Sequence, residues 1–419
     1  MIETGLEVNR MAADALGDHF SEIRGLTMHL TDSLSAEDQM LQSMPDASPV
    51  KWHLAHTTWF FETFILVPYA AHYRPFDRNF QYLFNSYYKQ LGGHPYRGAR
   101  GLMSRPSLEQ VHAYRKHVDH GMVGFLPHAK GPALSLLELG LNHEQQHQEL
   151  ILTDIKHALW SGPLRPEPVA GHTRYVAAPK LAWIEVEGGI HSIGHHGEGF
   201  AFDNESPRHE VLLRPFQIAS RPVTNEEYLE FMKDGGYCRP ELWLSDGWDA
   251  VNAQGWNSPL YWHRSSDDGE WSQFVMNGAK RVNPAEPVCH VSFYEADAFA
   301  RWAGARLPLE SEWEIAATRH PARGTLLEDG IWHPQPPRGE GFQQVFGDVW
   351  EWTASPYVAY PGFTSAPGVV GEYNGKFMCN QFVLRGGSCA TPASHIRASY
   401  RNFFPPHARW QFSGLRLAK

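Results

Sequence analysis

Cysteine is scarce in this sequence. Its four residues, Cys238, Cys289, Cys379 and Cys389, all lie in the second half without C-x-x-C spacing, which argues against a cysteine-built zinc site and a disulfide framework. An excess of basic charge is also missing: 46 Asp plus Glu face 36 Lys plus Arg, for a formal net charge of -10. The electrostatic footprint of a nucleic-acid binder or of an anionic-membrane binder is therefore absent, and small-molecule chemistry fits better. The apolar run "FILVPYAA" is too short to cross a bilayer, and "MIETGLEVNRMAADAL" has no basic region leading into an apolar core. The expectation is a soluble, cytoplasmic protein that binds neither nucleic acid nor membrane.

What is present is core material and histidine. A chain of 419 residues exceeds what one compact core usually holds, and 42% hydrophobic content with 15 Trp is ample for two well-buried domains. The 24 histidines direct attention to metal or proton chemistry. From about Ala12 to Trp160 the apolar periodicity is helical, with four helices in "ADALGDHFSEIRGLTMHLTDSL", "VKWHLAHTTWFFETFIL", "SLEQVHAYRKHVDHGMVGFL" and "ALSLLELGLNHEQQHQELILTDIKHALW". Ser48-Pro49 reads as a cap followed by proline at the first helical position of the second. Four such helices suggest an antiparallel bundle, whose interior commonly holds metals. The proline-rich stretch 162–179 reads as a linker. Beyond it the chain is loop-rich α+β with short apolar runs and two brief helices. One of these is "SFYEADAFARWAG", with a Ser292/Glu295 capping box and Gly304 as terminator.

The segment "NHEQQHQE", Asn142 to Glu149, carries the chemistry. On a helix His143 and His147 point within about 40° of each other and can grip one ion, whereas Glu149 lies about 200° around from His147 and cannot join them. Helix two offers His53 and His56, three apart on one face. One of them would complete a three-histidine facial site with open positions, an arrangement suited to Fe(II) that must hold substrate and oxygen together. Two readings compete. His143 to His147 matches H-E-x-x-H, the zinc-peptidase pattern, although the G-x-x-H continuation is absent. The other is a polar helix face without metal. His112, His117 and His120 lack a good i, i+4 pair and read as a solvated face, as do His191, His195 and His196 in a glycine-rich loop.

Read together, "LAHTTWFFE", "NHEQQHQE", "FAFDNESPRHEV", "RPVTNEEYLEF", "GDVWEWTASPY" and "VLRGGSCATPASHIRASYRNFFPP" resemble the ergothioneine-synthase (EgtB) family of sulfoxide synthases over nearly the whole chain. The resemblance implies an α+β multidomain protein. A DinB-like four-helix metal-binding domain would span 1–165, and a C-type-lectin-like, formylglycine-generating-enzyme-like substrate domain 175–419. It places the family's iron ligands on His56, His143 and His147, leaves His53 behind them, and gives Gln146 a hydrogen bond to the substrate imidazole. Glu144 has no role as a base in that family. The implied reaction is the O2-dependent joining of sulfur to the imidazole carbon between the two nitrogens of hercynine (trimethylhistidine), leaving a sulfoxide.

The same resemblance brings Tyr87 and Tyr88 to the active site as candidate proton donors, with packing aromatics as the plain alternative. Arg97 and Arg100 are candidate partners for the carboxylate of an amino-acid thiol. Asn402 would hydrogen-bond the betaine carboxylate, while Phe403 and neighbouring aromatics cover the quaternary ammonium. Two departures matter. Only Cys389 follows "RGGS", so the paired-cysteine chemistry of formylglycine-generating enzymes is not expected. Phe404 stands where relatives that take γ-glutamylcysteine carry an acid, which favours free cysteine as donor. The sequence also resembles selenoneine synthases, which accept a selenosugar. A zinc peptidase and a catalytically inert lectin-like binding module are the readings from other classes.

Overall fold

The structure is a computed structural model that describes residues 2–88, 91–164, 177–264, 269–322, 324–366, 371 and 374–419, with side chains from residue 16 onward. It divides into two compact units, Met1–Gly162 and Pro163–Lys419. The expected linker at 162–179, and with it the expected domain limits at 165 and 175, falls largely outside the described residues.

Four long helices build the first unit: α1 (Ile2–His29), α2 (Val50–Phe61), α3 (Leu108–Phe125) and α4 (Pro132–Ser161). Helix α2 has no solvent face, since all twelve of its residues are buried. Any polar group on it must find its partner inside the protein. Lys51 does so by donating to the carbonyls of Met103 and Pro106, 2.8 Å each. The start of α2 differs from expectation. Pro49 is the extended residue before the helix, and Ser48 contributes no side-chain cap. Ser48 is committed elsewhere, its N–H to Asp154 at 2.7 Å and its hydroxyl to Arg100 at 2.9 Å. At its other end α2 widens into a π-helical turn, Glu62–Leu66, a local feature common near functional sites. It turns Glu62 inward to accept from the hydroxyls of Tyr73 and Tyr114, both 2.7 Å.

Helix α3 opens on a Ser107/Gln110 capping box. Helix α4 opens on Gly131 at φ 57 followed by Pro132 and runs thirty residues, about 45 Å at 1.5 Å per residue. Its approach to α2 needs Gly140, where a Cβ would sit 2.7 Å from Phe61 and 2.9 Å from Phe60. Among the described residues no helix is long and apolar enough to cross a membrane.

In the second unit β1 (Trp183–Val186) pairs with β4 (Phe216–Ala219), and β2 (Gly189–Ile193) with β3 (His209–Leu213). Next come α5 (Asn225–Lys233), α6 (Ser245–Gln254), an antiparallel meander of β5 (Trp262–Arg264), β6 (Trp271–Val275) and β7 (Gly278–Arg281), then α7 (Phe293–Trp302) and α8 (Glu310–Ala317). The central sheet has the order β10-β9-β8-β11, from β8 (Trp350–Pro356), β9 (Phe382–Arg385), β10 (Asn402–Phe404) and β11 (Ser413–Gly414). The Ser292/Glu295 capping box of α7 forms as expected, and Gly304 follows that helix at φ 62. Two brief helices were expected; among the described residues the unit has four of eight to ten residues. Helices this short display too few turns for periodicity to stand out, although the Thr224/Glu227 capping box marks the start of α5.

Tryptophans 313, 350 and 352 and arginines 385, 401 and 416 are among the largest fully buried side chains. Each arginine requires a carboxylate there. Glu351 serves Arg416 at 2.7 Å, and Glu310 serves both Arg385 at 2.8 Å and Arg401 at 2.6 Å. Burial alone would raise the Glu310 carboxyl, but Arg385 and Arg401 outweigh it and hold the group below its usual 4.5. A depressed carboxylate contributes stability that is present above the unfolded value and lost as pH falls through the folded one. Glu310→Gln should therefore cost about 3 kcal/mol at pH 7. Urea unfolding curves of mutant and parent should converge as pH is taken from 4.5 downward, whereas parallel curves would mean the carboxylate charge contributes nothing.

Candidate metal centre

His56 on α2 and His143 and His147 on α4 are all buried, and each offers a ligand nitrogen, these nitrogens lying within 4.8 Å of one another. The rings stand roughly edge to face: centroids are 5.0 Å apart for His56 and His143, 4.9 Å for His56 and His147, and 4.6 Å for His143 and His147. Interplanar angles of 80°, 61° and 75° suit three imidazoles converging on one point from one side. Burial, opposed by neighbouring Glu144, pushes His143 down to about 3. Burial first, and the other ring nitrogens second, also hold His56 and His147 well below their ordinary value. Neutral imidazole is the form that ligates a metal.

The surroundings orient the rings. The Nδ1–H of His56 donates to the Phe84 carbonyl at 2.6 Å, which leaves Nε2 for a metal. Trp52 and Trp59 stack on its ring at 4.4 Å and 5.5 Å, both with an interplanar angle of 15°, and Phe60 packs against His143 at 5.0 Å. His53 stays outside the trio and lies between His147 and Asp154. Among the described residues no carboxylate or thiolate joins this metal-competent group. An all-imidazole set suits Fe(II), Zn(II) or Cu(II) and not the oxygen-seeking Mg(II) or Ca(II). The donor chemistry thus fits the iron that the sequence resemblance implies.

Glu144 is turned away from this work. Its carboxylate accepts from Arg24 at 2.9 Å and from Arg115, and it is fully buried. Burial would raise its carboxyl, but Arg115 and Arg24 hold it down to about 2. A peptidase needs that glutamate as a proton acceptor beside the metal. Here two guanidinium groups occupy it.

The remaining candidates are placed as follows. Gln146 is partly exposed on α4, and Glu149 is buried there. Tyr88 is buried with its ring near Trp59 and Tyr87, 5.6 Å and 4.6 Å away, and Tyr87 is half-buried. Both Tyr88 backbone groups are gripped by the Asn85 amide, at 3.0 and 3.1 Å. Arg100 is buried, bonded to the hydroxyls of Ser48 and Ser86 and laid over the Trp52 ring at 3.4 Å. Arg97 is exposed and donates to the Asp46 carbonyl.

In the second unit Asn402, Phe403 and Phe404 are half-buried on β10. Strand alternation puts Asn402 and Phe404 on one face and Phe403 on the other, where Phe403 stacks on Tyr357 at 4.0 Å. Phe404 meets Trp410 edge-on at 5.9 Å. The sequence reading missed Arg24, Arg115, Gly140 and Asp154. Of these only Asp154 carried a usable signal, seven residues after His147 and hence on the same helix face.

Residues 173–329 and 333–419 match the sulfatase-modifying factor enzyme 1-like domain family, so the second unit is of that α+β, C-type-lectin-like class. Among curated proteins, the hercynine oxygenase of Mycolicibacterium smegmatis is 37% identical, over 67% of this chain and 70% of its own. That of Mycolicibacterium thermoresistibile is 33% identical over 99% of this chain and 96% of its own. The Mycobacterium tuberculosis hercynine oxygenase is 30% identical over 97% and 98%.

Glu144→Gln separates the two uses of this motif. It should destabilise the chain by about 3 kcal/mol, because buried Arg115 loses its counter-charge and Arg24 is left with Asp119 alone at 2.7 Å, while metal stoichiometry in the folded fraction stays at the wild-type level. A variant of unchanged stability that loses only turnover would restore the glutamate as a base.

Proposed function

This chain belongs to the hercynine oxygenase family of oxidoreductases, and we propose that it joins the imidazole C2 of hercynine to the sulfur of cysteine with O2, giving a sulfoxide. The balance is complete. The C2–H and S–H hydrogens leave with one oxygen atom as water, the second oxygen stays on sulfur, and the two substrates supply all the electrons, so no external reductant is needed. In this proposal 1–165 is the DinB-like metal-binding domain and 175–419 the substrate-binding domain.

The observation that carries the reading is the buried, neutral trio of His56, His143 and His147. Three imidazoles on one side would leave the opposite positions of a single ion for exchangeable ligands. Bound Fe(II) would supply oxygen activation and favour the thiolate form of the donor. The protein's own groups do the rest. Gln146, next to His147 and partly exposed, is the proposed hydrogen-bond partner of the hercynine ring. Tyr87 and Tyr88 are the proposed proton donors, and the Asn85 clamp on the Tyr88 backbone supports a fixed position for that pair.

On β10, Asn402 Oδ1 already accepts from the Phe403 N–H at 2.9 Å, so its amide nitrogen is the group to donate to the betaine carboxylate. Phe404 and Trp410, which share its side of the strand, are better placed than Phe403 to cover the ammonium. Phe403 remains a proposed contributor to the pocket wall. Arg97 and Arg100 are the proposed carboxylate partners of the sulfur donor. Of the two, Arg97 is the accessible one, and Arg100 contributes mainly by bracing Trp52.

Free cysteine is the proposed donor because Phe404 brings no charge with which to hold a γ-glutamyl amine. The competing selenium chemistry is tested in the same experiment. Hercynine, Fe(II) and air are combined with cysteine, γ-glutamylcysteine or a selenosugar, and the adducts are weighed by mass spectrometry. The cysteine sulfoxide is expected, and His143→Ala should bind no iron and form none. Product from the selenosugar alone would transfer the assignment to C–Se bond formation. No adduct from any donor, with zinc-dependent peptide hydrolysis instead, would end the proposal.

The tyrosine and asparagine roles have their own readouts. Tyr87→Phe should slow sulfoxide formation and divert turnover to plain thiol oxidation; wild-type yield from the Tyr87/Tyr88 double phenylalanine variant would remove the role. Asn402→Ala should raise KM for hercynine about tenfold or more, the loss of one hydrogen bond to a charged group, with KM for cysteine little changed.

A further inference from the structure

His147 is backed by a chain of buried partners that ends on a carboxylate. Its Nδ1 lies 2.7 Å from Nδ1 of His53, and Nε2 of His53 lies 3.0 Å from Oδ2 of Asp154. The same Asp154 oxygen accepts the Ser48 N–H at 2.7 Å. His53 and Asp154 are 2% and 4% exposed, so water does not offer substitutes. The chain starts on α4, crosses to α2 and returns to α4, because Asp154 follows His147 by seven residues and His53 precedes His56 by three.

For a neutral His53 beside an ionised Asp154, proton bookkeeping along this chain has one solution. A carboxylate can only accept, so His53 donates from Nε2; a neutral ring that donates from Nε2 accepts at Nδ1. His147 must then donate from its Nδ1, which puts its lone pair on Nε2. The partner of His56, by contrast, is an uncharged backbone carbonyl. A carboxylate one ring removed makes His147 the more strongly polarised donor.

We propose that His53 and Asp154 form a positioning relay that holds His147 in the tautomer whose Nε2 faces the metal and raises that nitrogen's donor strength. This rests on the three-histidine metal reading, and the test separates the two. Co(II), whose ligand-field absorption is visible, is titrated into the full-length apo-protein and the affinity measured without reference to turnover. His53→Gln can keep the relay, with its carbonyl oxygen toward His147 and its amide toward Asp154; His53→Phe fills the space without either function.

The expected result is that wild type binds one Co(II), His53→Gln binds within about threefold of it, and His53→Phe binds at least about tenfold more weakly with shifted absorption bands. Equal affinities for His53→Phe and wild type would overturn the relay, as would equal losses in His53→Gln and His53→Phe. Failure of wild type itself to bind Co(II) would instead overturn the metal reading beneath it. Should His53→Phe not fold, Asp154→Asn carries the test, since its amide oxygen still accepts the His53 proton but the charge is gone. A loss of about threefold to tenfold is then expected, and unchanged affinity overturns the relay.

Discussion

The first unit depends on one buried carboxylate. Glu144 joins Arg24 of α1 to Arg115 of α3 from its place on α4, and the two arginines reach on to Thr58 and Thr57 of α2. A single side chain thus engages all four helices. Taking three charges out of water is expensive, and such a cluster is seldom the most stable way to fill a core. What it supplies is direction. With Glu144 pinned between two guanidinium groups, α4 cannot rotate about its axis, and the residue immediately before it is His143. The azimuth of the metal-binding face is set by a neighbour that takes no part in binding.

The distance between helices is set separately. Gly140 lets α4 come close to Phe60 and Phe61 of α2, one turn before His143, and so brings both α4 histidines within reach of His56. Trp52 and Trp59 then confine the His56 ring from both sides. The burial that results holds all three imidazoles below their ordinary value and so in the neutral form, and this has a consequence for affinity. No proton has to be displaced when a cation enters, so burial, which penalises charged histidine, favours the metal-free site in its binding-competent form. Low dielectric and ligand readiness are here the same property.

Much of this was legible in the residues, and the parts that were not share a cause. The helical first half, the i, i+4 histidine pair and the Ser292/Glu295 cap follow from period and spacing, which are local. His56 could be separated from His53 only by resemblance, because both lie three apart on one face of a helix that has no solvent side. Arg24 and Arg115 gave no signal at all: their meeting at Glu144 spans 120 and 29 residues of sequence, and long-range ion pairs have no pattern. Arg100, expected near the donor carboxylate, also holds two serine hydroxyls and lies over the face of Trp52, contacts that its sequence neighbours did not signal. Phe403 was grouped with Asn402 by the resemblance, and the pleat of β10 turns them to opposite faces.

The five residues from His143 to His147 show why a short motif underdetermines chemistry. On any helix the glutamate of H-E-x-x-H lies about 100° from the first histidine, and that angle alone does not say whether it faces the metal's open side or the packed interior. The answer comes from what else the helix touches. A peptidase must leave the carboxylate within reach of a metal-bound water. In this bundle α1 and α3 each send an arginine into the same space, so the carboxylate becomes an anchor and the general base is lost. Any proton the reaction requires must then come from groups outside the motif. The same five letters therefore specify a pair of ligands in both settings, and the identity of the neighbouring helices decides the function of the residue between them.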